Sequence, residues 1–316
     1  MSLASPPAAG TPLIRRIGFV GIGNMGWPMA SRLLGAGFDV IACDAATGRP
    51  EQFAQACGGR AAASPVEAAR GADAVVTILP TSRQVAEVLE AMGEGLAPGT
   101  LVIEMSSGSP GATRRLAGLL SGRGVAMIDA PVSGGVSRAR TGELSIMVGG
   151  EAAALERAAP VLSAVGSSIH RCGAVGAGQA MKALNNLVSA AGFLIGVEAL
   201  LIGQRFGLDP SLMVDVLNAS TGMNNSTQKK FKQFVLSRRF DSGFGLDLMV
   251  KDLGIALEIG RETDTPAPFA ALCRELSASA VALLGPGQDH TALARLSERL
   301  AGDELGPAPV EPAGTR

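Results

Sequence analysis

Six residues, Gly21-Ile22-Gly23-Asn24-Met25-Gly26, follow a short apolar run, Ile17 to Val20, and spell G-x-G-x-x-G ahead of a segment with helical spacing. In that setting the first glycine permits a tight turn, the second lets a pyrophosphate approach the backbone, and the third allows the helix to pack on the strand. The start of the helix then offers N–H groups and the positive end of its dipole to phosphates. The chain holds 42 glycines, so the motif alone arises easily by chance, and its place between strand and helix carries the reading. Asp44 closes a second apolar run, Asp39 to Cys43, near the spacing at which a carboxylate accepts from the ribose hydroxyls of adenosine and repels a 2′-phosphate. Ala45 and Ala46 follow it, so no adjacent arginine is offered to such a phosphate, although Arg49 is near in sequence. NAD is expected to be preferred, with NADP possible; a turn cap is the other reading of Asp44.

A second set of polar residues sits further along. Lys182 and Asn186 stand four apart in a helical segment and project from one face. Their neighbours Met181, Ala183, Leu184 and Leu187 are apolar. That places Lys182 at a partly buried surface, where a lysine can titrate near working pH and serve as acid or base. An exposed polar pair has the same spacing. In Asp129-Ala130-Pro131-Val132-Ser133-Gly134-Gly135 a serine hydroxyl and glycine N–H groups could form a concave nest for a carboxylate. A glycine-rich strand-to-helix turn reads the same way.

Other chemistries are poorly provided for. His170 and His290 are the only histidines, too few and too far apart to build a zinc motif with Cys43, Cys57, Cys172 and Cys273, so no metal is expected. Tyrosine is absent, which removes dehydrogenase mechanisms that use it as the acid. Lys+Arg 27 against Asp+Glu 28 leaves a net charge of -1 and no basic excess for nucleic acid. The cysteines form no C-x-x-C pair, which fits a reducing cytoplasm. The first residues, MSLASPPAAGTP, do not read as a secretory signal. The most membrane-like stretch, Ala183 to Val197, is shorter than the ~20 residues of a span and reads as a buried helix, so no membrane partner is expected.

The elements that must hold these residues follow from the apolar runs. Ile17–Val20, Asp39–Cys43, Ala74–Leu79, Leu101–Ile103 and Val125–Ile128 read as strands apolar on both faces, separated by helical stretches, and Ser145–Val148 adds another. The expected fold is α/β, an N-terminal Rossmann-type doubly wound sheet followed by an all-α C-terminal domain, joined by a long helix from about Gly176 to Arg205. Further helices are expected near 210–219, 224–237, 246–262, 268–284 and 289–301. The organisation is then a flexible leader over 1–16, a dinucleotide-binding domain over 17–176, a helical substrate and oligomerisation domain over 177–301, and a disordered tail over 302–316.

Together these motifs resemble the β-hydroxyacid dehydrogenase family, whose best-known members act on 3-hydroxyisobutyrate or reduce tartronate semialdehyde. The resemblance runs from about Ile17 to about Arg295. Phe19 to Gly26 with Pro28-Met29-Ala30 is similar to the family's N-terminal signature, with Arg32 where asparagine is usual. The resemblance implies that the loop at Leu79-Pro80 touches the cofactor. Glu104-Met105-Ser106-Ser107 resembles a D-x-S-T segment, and Ser107 keeps the hydroxyl that would bond the cofactor. By the same resemblance Ser133, Gly134 and Gly135 bind the substrate carboxylate. Gly176 to Asn186 resembles G-x-G-x-x-x-K-x-x-x-N, with Lys182 as acid or base and Asn186 holding the substrate hydroxyl or orienting the lysine. Phe244 and Lys251-Asp252-Leu253 resemble a further segment, in which Lys251 reaches the nicotinamide side and Asp252 borders an interdomain substrate cleft. A surface ion pair is the alternative there, although adjacent residues on a helix do not normally face one another.

The activity implied is reversible NAD(P)-dependent oxidation of a small 3-hydroxy carboxylic acid, or reduction of its semialdehyde, by a homodimer or homotetramer. A non-catalytic NAD(P)-binding interaction module and an imine reductase-like relative are the alternatives. Imine reductases commonly replace the lysine, which Lys182 argues against. The polar loop Ser220 to Thr227 hints at a polar substituent on the substrate. Whether a phosphate or sulfonate substrate is received depends on where Arg138, Lys229 and Lys230 lie.

Overall fold

The computed structural model describes residues 13–306; most of the expected leader and tail therefore lies outside the described residues. The chain divides into two compact units between Lys182 and Ala183.

The first unit is built on a nine-stranded sheet. Its strands are β1 (Arg16–Val20), β2 (Asp39–Cys43), β3 (Arg60–Ala61), β4 (Ala74–Thr77), β5 (Leu101–Glu104), β6 (Ala126–Asp129), β7 (Val132–Ser133), β8 (Leu144–Gly149) and β9 (Gly166–Gly173). The order is β3-β2-β1-β4-β5-β6-β8-β7, with β9 on β8. Neighbours from β3 to β6 are parallel, and β8 runs antiparallel to β6. The helices are α1 (Gly26–Gly35), α2 (Arg49–Cys57), α3 (Pro65–Ala69), α4 (Ser82–Met92), α5 (Pro110–Ser121), α6 (Gly135–Thr141) and α7 (Ala152–Val165). Alternate strand residues feed two cores. Ile17, Phe19, Val40, Val76 and Ile103 pack with Met29, Leu33 and Leu162, whereas Val20, Ile41, Val75 and Val102 pack with Val85, Leu89 and Leu120. Burial on both faces is why these strands are apolar throughout. The sequence reading lacks β3, β7 and β9. The first two are only two residues long, and β9 (GSSIHRCG) is a polar strand with much of its length exposed.

The second unit is helical. Most of α8 (Ala177–Phe206) belongs to it, followed by α9 (Pro210–Asn218), α10 (Asn225–Lys229), α11 (Leu246–Glu262), α12 (Pro268–Leu284) and α13 (Ala294–Ala301). The single helix expected over 224–237 is in fact α10 followed by a π-helical turn, Phe231–Leu236. Lys230 leaves helical geometry at φ −127°, and the wider turn lets both Phe231 and Val235 enter the core against Phe193 and Val197. A Cβ at Gly196 would lie 2.5 Å from the Phe231 ring, so glycine at that point of α8 makes room for it.

α8 is longer than the apolar stretch 183–197 read from the sequence. At 30 residues it is long and apolar enough to cross a membrane by length and composition, and half of its most apolar stretch is buried within the protein. Ala190, Phe193, Leu194, Val197, Leu200 and Leu201 pack in the helical core, as a buried helix should, while the opposite face is exposed.

Candidate functional site

Because β1, β2, β4, β5 and β6 are parallel, the loops after them emerge along one edge of the sheet. That edge gathers Gly21–Gly26, Asp44, Leu79-Pro80, Ser106-Ser107 and the segment opened by Ala130. β1 lies between β2 and β4, where the strand order reverses, the usual place for a ligand crevice in such sheets.

The three motif glycines have different reasons to be glycine. Gly21 has φ +95°, and a Cβ there would stand 2.3 Å from the Ile78 carbonyl oxygen; one at Gly26 would stand 1.8 Å from the Gly21 oxygen. A Cβ at Gly23 meets no protein atom within 4 Å. The protein's own packing thus fixes Gly21 and Gly26, whereas a side chain at Gly23 would fill the open cradle that a phosphate backbone needs. A groove of about 560 Å³ lined by Gly23, Asn24, Trp27 and Arg49, among others, opens beside this loop. These residues fit a dinucleotide.

Asp44 is half-buried and already engaged. Its Oδ2 accepts the Ile22 N–H at 2.8 Å and its Oδ1 accepts the Ala46 N–H at 2.9 Å, so it caps the turn and ties β2 to the glycine loop. Arg49 folds back on the same loop: its Nε donates to the Ile22 carbonyl at 2.6 Å, and its guanidinium lies 5.6 Å from the Trp27 ring centre.

Ser106 Oγ accepts the Leu79 N–H at 2.8 Å and holds the Leu79-Pro80 loop, while Ser107 beside it is half-buried. Ser133 lies on β7, and Gly134 (φ +132°) and Gly135 (φ +71°) turn the chain into α6 with their backbone exposed. An L side chain disfavours both conformations.

Lys182 is buried, with 8% of its surface exposed. What fixes its helix is a set of side chains that the sequence reading placed within motifs without giving them this role. Glu104 and Asp129 are register neighbours on β5 and β6. Asp129 accepts the Gly176 N–H at 2.7 Å and the Gln179 N–H at 2.8 Å, capping the first turn of α8 where the helix dipole favours a carboxylate. The Gln179 amide donates to the Glu104 carboxylate and to the Ser106 carbonyl, and accepts the Gly108 N–H at 2.8 Å. Burial pushes the Glu104 carboxyl up to about 7 and the Asp129 carboxyl up to about 6, against the pull of their hydrogen bonds. Gln179 is three residues before Lys182, so this lock sets the rotation of the turn from which the lysine projects. A signal did exist: Val102-Ile103-Glu104 and Met127-Ile128-Asp129 both end an apolar strand on a carboxylate.

In the second unit Asn186 (6% exposed) and Asp252 (1%) are joined, Asn186 Nδ2 donating to Asp252 Oδ2 at 2.5 Å. Asn186 Oδ1 also accepts from Asn185 Nδ2 at 3.1 Å. Lys251 Nζ lies 3.3 Å from Asp252 Oδ1. The expectation that adjacent helical residues do not face one another is corrected here, because the flexible lysine stem curls back to its neighbour. In the polar loop 220–227, Asn224 and Thr227 form a capping box at the start of α10, Asn224 Nδ2 also donates to the Gly192 carbonyl, and the Ser226 hydroxyl is buried without a hydrogen-bond partner. Arg138 and Lys229 are exposed, while Lys230 is half-buried. Among the described residues no group of three or more His, Cys, Asp or Glu is placed to hold a metal ion.

Residues 16–176 match the family described as "NAD binding domain of 6-phosphogluconate dehydrogenase", and residues 176–297 match "NAD-binding of NADP-dependent 3-hydroxyisobutyrate dehydrogenase". The 2-(hydroxymethyl)glutarate dehydrogenase of Eubacterium barkeri is 36% identical over 91% of this chain and 96% of its own. The NAD-dependent L-serine dehydrogenase of Pseudomonas aeruginosa is 37% identical over 83% of this chain and 91% of its own. Among solved structures, a Mycobacterium tuberculosis 3-hydroxyisobutyrate dehydrogenase with L-serine has a TM-score of 0.82 and 33% identity, covering 90% of this chain and 99% of that one.

Proposed function

Since the chain belongs to the β-hydroxyacid dehydrogenase family, we propose that it interconverts a small 3-hydroxy carboxylic acid and its semialdehyde, with Lys182 as general acid and base. The observation that carries this reading is Lys182 itself, buried one turn along from a side-chain lock that leaves its helix no freedom to rotate. NAD(P), held at Gly21–Gly26 with Asp44, Leu79-Pro80 and Ser107 beside it, supplies the two-electron acceptor or donor when bound. Ser133, Gly134 and Gly135 would receive the substrate carboxylate. In oxidation the neutral Lys182 amine takes the proton from the substrate hydroxyl as the carbonyl forms. In reduction its ammonium returns that proton to the forming alkoxide. Asn186, held by Asp252, would orient the hydroxyl or the lysine, and Lys251 pairs with Asp252.

An absorbance assay at 340 nm with 3-hydroxy acids, 2-hydroxy acids and their aldehydes tests this reading with both cofactors. Turnover is expected for a 3-hydroxy acid. NAD should have the lower KM, since Asp44 at the end of β2 would repel a 2′-phosphate. A lower KM for NADP would overturn the cofactor assignment, and tight NAD binding without any turnover would favour a non-catalytic binding module.

We further infer a homodimer or homotetramer. Leu184, Val188, Ile195, Ile202 and Phe206 are all exposed and fall within one narrow face of α8, a stripe ~33 Å long. An apolar strip of this size on a helix marks a protein interface more often than open surface. Light scattering should give a multiple of the chain mass, reduced by Val188→Asp with Ile202→Glu; a monomeric wild-type protein would refute this. The absence of any disulfide among the described cysteines supports a reducing compartment such as the cytoplasm.

A further inference from the structure

Beyond Asn186 the same face of α8 continues to Ser189 and Phe193, since residues 182, 186, 189 and 193 recur at helical spacing. Ser189 is ~4.5 Å along the axis from Asn186. At that point a second cation is held. Lys230 Nζ donates to Ser189 Oγ at 3.3 Å and lies 2.8 Å from His290 Nε2. An ammonium has only donors, so Nε2 is the acceptor and the imidazole proton sits on Nδ1, facing Ser242 Oγ at 3.1 Å and the Phe244 carbonyl at 3.3 Å. The ring is buried between Phe193 and Phe244, and that burial pushes its pKa down to about 4, so it is neutral at working pH.

Asp289, next in the chain, accepts from Ser242 Oγ, from the Gly243 and Phe244 N–H groups and from Thr291. Its carboxylate fixes the segment that carries the imidazole, on the Nδ1 side of the ring and away from Lys230. A buried histidine, a multiply bonded aspartate and a break from α-helical geometry at residue 230 together hold one lysine head group beside Ser189. A lysine placed only for solubility requires none of these.

We propose that Lys230 reads the distal end of the substrate, so that this protein acts on 3-hydroxy acids bearing a second carboxylate. The inference rests on the dehydrogenase reading for the position of the reacting hydroxyl at Lys182 and Asn186. From there the substrate extends along the α8 stripe towards Ser189, and its second carboxylate meets the Lys230 ammonium. In the polar loop 220–227 the side chains of Asn224 and Thr227 are engaged in the capping box of α10 and carry no cation.

Two substrates that differ only at the distal group test this: 2-(hydroxymethyl)butanedioate and 3-hydroxy-2-methylpropanoate. Wild-type enzyme should favour the dicarboxylate in kcat/KM. Lys230→Met should lower the ratio of the two kcat/KM values ~10–100-fold, chiefly through KM, and Lys230→Arg should restore most of it. Equal losses on both substrates, or an unchanged ratio, would mark Lys230 as a structural residue and overturn the proposal. Wild-type preference for the methyl compound would overturn it as well while leaving the dehydrogenase reading intact. Calorimetry with 2-methylbutanedioate, which has no hydroxyl to react, reads the same contact without turnover. Binding to wild type weakened ~10-fold or more in Lys230→Met supports the contact, and equal binding sinks it even if neither substrate is oxidised. Failure of oxidation on both substrates with this binding present counts against the dehydrogenase reading alone.

Discussion

Lys182→Ala is expected to lose ~10²–10⁴-fold in kcat, the usual worth of a positioned acid or base, while NAD binds as it does to the wild-type protein. The separation follows from placement: Lys182 lies on α8, whereas the glycine loop that would hold the cofactor is built by β1 and α1. Two further substitutions distinguish proton transfer from bulk and charge. Lys182→Met keeps most of the stem in its buried position, so a comparable loss in that variant is not a packing effect. Lys182→Arg keeps the charge, but a guanidinium does not give up its proton at any working pH, so it should fail as a base in oxidation. Stopped-flow or steady-state absorbance at 340 nm, with calorimetric titration of NAD into each variant, checks all three. An alanine enzyme retaining more than ~10% of wild-type turnover would remove Lys182 from the mechanism.

How far such a site can be read in advance depends on whether its parts are local. The glycine loop, Asp44 and the Lys182–Asn186 spacing are local patterns, and β1, β2, β4, β5 and β6 declare themselves through side chains buried on both faces. The lock formed by Glu104, Gln179 and Asp129 joins residues up to 75 positions apart and depends on β5 and β6 being neighbours, which no local pattern states. Lys230 and His290 are 60 residues apart and are brought together by the packing of helices around Phe193 and Phe231. In the loop 220–227 the sequence does not say which amides and hydroxyls are engaged: helix capping takes Asn224 and Thr227, while the Ser226 hydroxyl is buried without a hydrogen-bond partner. Asp44 holds both of its readings at once, since the carboxylate that would accept from ribose is also the acceptor that shapes the glycine loop.

Gly23 and Gly26 should respond to substitution in opposite ways, and the contrast separates cofactor binding from folding. A Cβ at Gly26 would be driven into the Gly21 carbonyl oxygen at 1.8 Å, a backbone atom that cannot turn aside. Gly26→Ala must therefore shift α1 against the end of β1, an overpacking strain typically of about 1–3 kcal/mol, and its melting temperature should fall by several degrees. A Cβ at Gly23 meets nothing, so Gly23→Val should melt with the wild-type protein in the absence of cofactor. Its isopropyl group would instead fill the cradle beside Asn24, raising the KM for NAD ~10-fold or more. A ligand that binds only the folded state raises the melting temperature, so saturating NAD should stabilise wild type and leave Gly23→Val almost unmoved. Differential scanning fluorimetry with and without NAD reads both effects at once. If Gly23→Val is stabilised as fully as wild type, the phosphates do not pass over this glycine; if it melts as early as Gly26→Ala, the open space at Gly23 has a structural role and the loop's fit to a dinucleotide loses its main support.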